Sequence, residues 1–130
     1  QSLVEREAHM LFFPHGIGHM LGLGVRDAGG LEPGRTKDPR PCLQSLRMDL
    51  ILRPGYIVTV EPGLYFIPAL LNDPARREKF RDCVNWPLAE KCLGLGGDKC
   101  LGLGGVRIED NLLVTDGAPA NLTATIPKTL

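Results

Sequence analysis

Hydrophobic residues fall along this chain in short runs rather than in long amphipathic stretches. Leu3, Ala8 and Met10 stand among charges over residues 2–10 and predict the end of a helix. Leu11, Phe12 and Phe13 follow and lead into a glycine-rich segment that reads as a short strand with turns. Residues 28–46, AGGLEPGRTKDPRPCLQSL, are dense in Gly, Pro and charge, so a surface loop is expected there, of a length that often carries function. The clearest β signal is LRPGYIVTVEPGLYF. Ile57, Val58, Thr59 and Val60 are all β-branched, and Pro-Gly pairs at 54–55 and 62–63 bound the run. Residues 68–82 predict a helix with Asp73 as N-cap and Pro74 in its first turn, and NWPLAEKCL predicts another short helix. GGVRIEDNLLVT predicts a strand pair: Val106 and Ile108 alternate, EDN turns, and Leu112 to Thr115 continue. Strands and helices mix without a βαβ rhythm, which places the chain in the α+β class.

Composition narrows the function classes. The 130 residues suit one domain or part of one, and 43% hydrophobic with 23% charged residues is ordinary for a globular chain. Lys plus Arg equals Asp plus Glu at 15 each, so no basic surplus argues for nucleic acid or an anionic membrane. Arg76 and Arg77 are flanked by Glu78 and Asp82 and read as a solvated helix face. No apolar run has membrane-spanning length and no signal-peptide layout is present, so a cytoplasmic location with reduced thiols is expected. Cys42, Cys83, Cys92 and Cys100 form no CxxC pair and match no zinc-finger spacing. The NLT triplet at 121–123 is read as structural rather than as a glycosylation site. The opening QSLVEREAHM lacks a methionine and reads like the middle of a helix, so the chain is expected to be cut from something longer.

One pattern is anomalous. KCLGLGGD at 91–98 is followed by KCLGLGGV at 99–106, which reads as a local tandem duplication lengthening one loop. The absence of GxxxxGK[ST], and the strand rather than helix that follows, argue against a phosphate loop.

The candidate chemistry lies in three places. His15 and His19 share PHGIGH, with glycines at 16 and 18. Those glycines disfavour a helix. On a strand the two histidines share a face, and glycine would allow another backbone or a substrate to approach closely. A buried histidine satisfied by a carbonyl accounts for either residue equally well. Glu61 ends an apolar β run, where a carboxylate is expensive to bury unless paired or metal-bound, although an exposed strand end would also accommodate it. Glu109 ends VRIE in the same way, and a surface pair with Arg107 is the simpler reading there. Two glutamates and a histidine at strand ends suit a hard divalent ion with mixed oxygen and nitrogen ligands.

Taken together, PHGIGHMLGL, SLR, LRPGYIVTVEPGLYF, GGVRIEDNLLVT and LTATIPK resemble, in order and from about residue 12 to residue 128, the C-terminal half of the M24 metallopeptidase catalytic domain. The likeness is greatest to the prolidase and Xaa-Pro aminopeptidase branch. It implies the pita-bread fold, a curved antiparallel sheet with covering helices, and residues 1–130 as a partial catalytic domain. It also implies two divalent metal ions, manganese first, with cobalt, zinc or iron as alternatives. By position, the resemblance makes His19, Glu61 and Glu109 metal ligands, Glu109 bridging two ions. His15 corresponds to a histidine beside the substrate, Arg47 to an arginine that recognises the substrate carboxylate, and Arg107 to one that supports the site. The implied reaction is hydrolysis before proline, in which a bridging hydroxide attacks the scissile carbonyl and Glu61 relays the proton. The implied partners are a proline-containing peptide, the missing N-terminal half of the domain and, in the full-length form, a second copy in a homodimer, with no nucleic acid or membrane.

Three departures qualify the resemblance. The family's two aspartate ligands precede this chain, so the isolated chain is expected to be inactive. Arg26 stands where the family commonly has a substrate-contacting histidine, and an always-charged guanidinium cannot act as a neutral imidazole. The duplicated KCLGLGG immediately precedes the strand of Glu109. The alternative reading is a non-catalytic peptide- or protein-binding module on the same fold.

Overall fold

The computed structural model describes residues 2–94 and 104–129. In chain order its elements are β1 (Gly30–Leu31), β2 (Met48–Asp49), β3 (Ile57–Val60), β4 (Gly63–Tyr65), α1 (Pro68–Leu71), α2 (Pro74–Lys79), α3 (Trp86–Cys92), β5 (Gly105–Arg107), β6 (Asp110–Leu113) and β7 (Ala120–Asn121). Single 3-10 turns lie at Ala8–Leu11 and Pro41–Leu43. Helices accompany mainly antiparallel sheets, as the α+β expectation required. The chain divides into two compact units, Gln1–Pro14 with Gly63–Arg107 and His15–Pro62 with Ile108–Leu130.

The first unit has an ordinary apolar core. Ala8, Leu11, Leu71 and Phe80 are buried, and Phe12, Phe66, Cys83, Val84, Trp86 and Leu93 pack against them. Phe12 meets Phe66 edge-to-face with centroids 5.9 Å apart, the arrangement ring quadrupoles prefer. The expected helix over 68–82 is two helices. Asp73 does cap, its Oδ1 accepting from Ala75 N at 2.9 Å, and Pro74 opens α2. That cap forces residue 73 out of helical conformation, so α1 ends at Leu71. Asn85 caps α3 through Leu88 N. Arg77 lies 4.8 Å over the Trp86 ring and bonds Glu90, so part of the Arg-Arg face ties α2 to α3 instead of facing only water. β4 pairs antiparallel with β5, Leu64 opposite Val106.

The second unit is a sheet in the order β3-β6-β7, all antiparallel, with β1 and β2 as a separate short parallel pair. Thr59 stands opposite Asn111 and Val60 opposite Asp110. EDN is therefore not a reversing turn: β5 and β6 pair with β4 and β3 respectively, and Asp110 lies within β6. The polar residues that suggest a turn are used instead to anchor the C-terminal segment. Thr123 Oγ1 donates to Asp110 Oδ1 at 2.6 Å and accepts from Asn111 N at 3.0 Å. Lys128 Nζ reaches Asp110 Oδ1, Thr123 O and Ile126 O at 2.9–3.0 Å. Asn121 Oδ1 accepts from Thr123 N, so the NLT triplet has a structural use. Gly55, at φ +91°, turns the chain into β3 in a conformation that favours glycine. The duplicated loop falls mostly on residues 95–103, which lie outside the described residues, as does Cys100.

Two outcomes follow from this packing. Leu11→Ala should lower stability by about 2–4 kcal/mol in urea denaturation, because the side chain is fully buried, whereas Leu3→Ala at an exposed position should change it by less than about 0.5 kcal/mol. The Thr123 hydroxyl, then Lys128 and Asn121, hold the Asp110 carboxyl below the usual carboxylate range. A depressed folded value stabilises above the unfolded carboxylate value of about 3.9 and is lost as pH falls through the folded one. The stability difference between wild type and Asp110→Asn should therefore be present at neutral pH and shrink below about pH 4, read by denaturation at a series of pH values.

Candidate metal centre

Residues 17–21 run antiparallel beside β3. Glu61 N donates to Ile17 O at 2.7 Å, Thr59 N to His19 O at 2.9 Å and Leu21 N to Ile57 O at 2.9 Å, with Met20 opposite Val58. This register sets His19 opposite Thr59. Side chains alternate along a strand, so His19, Thr59 and Glu61 share one face. The close approach depends on Gly18: a Cβ there would lie 1.8 Å from the Thr59 carbonyl oxygen. The expectation that glycine admits another backbone is met at this position, whereas at Gly16 the neighbour is only the end of the Leu46 side chain, 3.3 Å away.

The buried residues of this unit, among those described, are Val58, His19, Thr59 and Glu61, the last three at 6%, 3% and 5% exposure. Three polar side chains at the centre of a unit require one another. His19 Nδ1 lies 2.8 Å from Met20 O. A carbonyl only accepts, so Nδ1 carries the hydrogen, and in the neutral ring Nε2 carries the lone pair. Nε2 stands 3.2 Å from Glu61 Oε1. Met20 O also accepts from Asp27 N at 3.0 Å, which closes the turn after His19. Two atoms rich in lone pairs thus face each other in a buried place. A hydrogen or a metal ion must lie between them: a proton carried by either group, or a divalent cation. Ligand atoms bound at about 2.0–2.2 Å in adjacent positions on one ion lie roughly 3 Å apart, which the observed spacing fits.

The remaining predicted residues are placed as follows. β3 and β6 stay in register beyond their ladder, since Ile108 N donates to Pro62 O at 3.2 Å. With Val60 opposite Asp110, Glu109 stands opposite Glu61, and it is exposed. Among the described residues no three His, Cys, Asp or Glu side chains converge closely enough to hold an ion. His15 is half-buried ahead of the ladder, its Nδ1 2.7 Å from Gly16 O. Arg26 and Arg47 are exposed in the loops of this unit, and Arg107 is exposed in β5 of the other. Sequence reasoning missed Thr59 as a member of the site. Its signal was its place two residues before Glu61, on the same strand face.

Among the described residues no helix is long and apolar enough to cross a membrane. Residues 1–116 match the profile of metallopeptidase family M24. The chain is 42% identical to an Xaa-Pro dipeptidase of Stenotrophomonas maltophilia over 127 residues, covering 95% of this chain and 26% of that protein. It is 38% identical to the human Xaa-Pro dipeptidase over 133 residues, covering 99% and 24%. Among solved structures it resembles aminopeptidase PepP of Pseudomonas aeruginosa, with TM-score 0.58, 30% identity, 98% of this chain and 21% of that one. Proline aminopeptidase P II of Yersinia pestis matches with TM-score 0.55 at 30% identity, covering 98% and 21%. The chain spans about a quarter of the length of the curated relatives it matches. Its fold is that of the corresponding part of these aminopeptidases, the pita-bread fold.

Gly18→Ala should force the 17–21 segment off β3, lowering stability by about 2–3 kcal/mol and separating His19 from Glu61. Gly117→Ala, where nothing lies within 4 Å of the added carbon, should be nearly neutral. Urea midpoints of the two variants check both outcomes.

Proposed function

The chain belongs to metallopeptidase family M24, and from that premise we propose that it is the C-terminal part of a catalytic domain that hydrolyses peptides at the bond preceding proline. The observation that carries this reading is the buried pair of His19 Nε2 and Glu61 Oε1, 3.2 Å apart with the histidine Nδ1 hydrogen already committed to Met20 O. The Xaa-Pro dipeptidases and aminopeptidases it resembles support the substrate class.

Divalent ions, when bound, polarise the scissile carbonyl and make water nucleophilic at neutral pH. The chain's own residues hold and orient. His19 offers Nε2, and the Met20 carbonyl keeps the imidazole in the tautomer a metal ligand needs. Glu61 offers Oε1 and is the carboxylate that takes the proton of the attacking water and passes it to the departing proline nitrogen. Glu109, opposite Glu61 across the β3–β6 ladder, would supply the third ligand. We assign the site to manganese, since two carboxylates and one imidazole form a mainly oxygen donor set. His15 contacts the substrate, Arg47 binds its carboxylate, Arg107 supports the site, and Arg26 replaces an imidazole with a fixed positive charge. The complete protein acts in the cytoplasm as a homodimer in this reading.

One observation favours the alternative of a non-catalytic peptide-binding module: no three ligating side chains converge among the described residues. The two readings separate in one experiment. This chain alone, given manganese and a Gly-Pro dipeptide, should show no turnover. Substituted for the matching segment of the Stenotrophomonas dipeptidase, it should restore Gly-Pro cleavage that His19→Ala or Glu61→Gln reduces by at least about a hundredfold. A folded, metal-loaded chimera that leaves Gly-Pro intact would contradict the peptidase reading and support the binding module.

A further inference from the structure

We infer that Thr59 is a positioning residue that sets the two metal ligands against each other, a role that rests on the metal-site reading above. Thr59 is 3% exposed and lies between His19 and Glu61 in the shared face. Its hydroxyl has one hydrogen and two lone pairs. His19 N donates to Oγ1 at 3.0 Å, and Oγ1 donates to Glu61 Oε1 at 3.1 Å. The competing acceptor, His19 O, is 3.5 Å away and already takes Thr59 N at 2.9 Å. The hydroxyl hydrogen is therefore committed to the carboxylate.

This arrangement differs from that of a merely satisfied buried threonine. One hydroxyl links the main chain of one ligand to the side chain of the other, and the oxygen it grips is the one facing His19 Nε2. β-branching restricts the threonine rotamer, so the direction of that bond is set by the strand itself. Binding by Oγ1 occupies part of Oε1 and turns the carboxylate toward the imidazole, leaving the pair preorganised for a divalent cation. Removing the hydroxyl would leave His19 N without its acceptor and take from Glu61 Oε1 the donor that faces it beside Nε2.

The test is Mn²⁺ affinity of the dipeptidase chimera described above, in which the preceding half of the domain supplies the remaining ligands, followed by loss of the free-ion electron paramagnetic resonance signal, which requires no turnover. Thr59→Val keeps the shape and removes the hydroxyl, and Thr59→Ser keeps the hydroxyl. Thr59→Val should weaken Mn²⁺ binding by about 10- to 100-fold, and Thr59→Ser should stay within about threefold of wild type. If circular dichroism shows Thr59→Val unfolded, Thr59→Ala takes its place in the comparison. Equal binding by wild type and the folded hydroxyl-less variant would overturn this inference alone. A serine variant as weak as the valine one would overturn it too, since the hydroxyl would then not be the active feature. No Mn²⁺ binding by the wild-type chimera, or binding unaffected by His19→Ala, would overturn the metal-site reading and this inference with it.

Discussion

The second unit depends on one contact: an imidazole nitrogen and a carboxylate oxygen held 3.2 Å apart with almost no exposure to water. Burying a carboxylate is costly, and burying it against a lone pair would be worse than burying it alone. The arrangement is stable only with a hydrogen or a metal ion between the two atoms. Everything nearby serves that condition. The Met20 carbonyl turns the histidine, Asp27 N steadies that carbonyl, and Thr59 links the main chain of one residue to the side chain of the other.

The backbone makes this contact affordable in only one way. The imidazole can reach the carboxylate because residues 17–21 lie directly on β3, and they can lie there because Gly18 leaves the Thr59 carbonyl its space. The first unit has a conventional apolar core and the second has a polar one. A buried polar cluster is weak evidence for stability.

Much of this was legible from residue types alone. Pro-Gly pairs bounded β3, Asp73 with Pro74 announced α2, and the glycines at 16 and 18 signalled a close approach, met at Gly18. The family resemblance of PHGIGH, TVEPG and GGVRIEDN is matched by the family profile. What could not be read were features that depend on partners distant in sequence. EDN has the composition of a turn, but strand pairing with residues 57–60 and the Thr123 and Lys128 anchors hold it extended. Thr59 looked like a strand former because β-propensity and a hydroxyl's hydrogen-bond targets are independent properties, and the targets lie 40 residues away and two residues on. The break between α1 and α2 was implicit in the Asp73 cap, yet periodicity alone runs through it.

In the proposed reading His19 and Glu61 jointly hold a divalent cation. Anomalous diffraction at the manganese edge, from crystals of the dipeptidase chimera grown with Mn²⁺, reads this position. The account predicts an anomalous peak within about 2.0–2.3 Å of both His19 Nε2 and a Glu61 carboxylate oxygen. A well-ordered site with no peak there, and the imidazole and carboxylate still in contact, would contradict it.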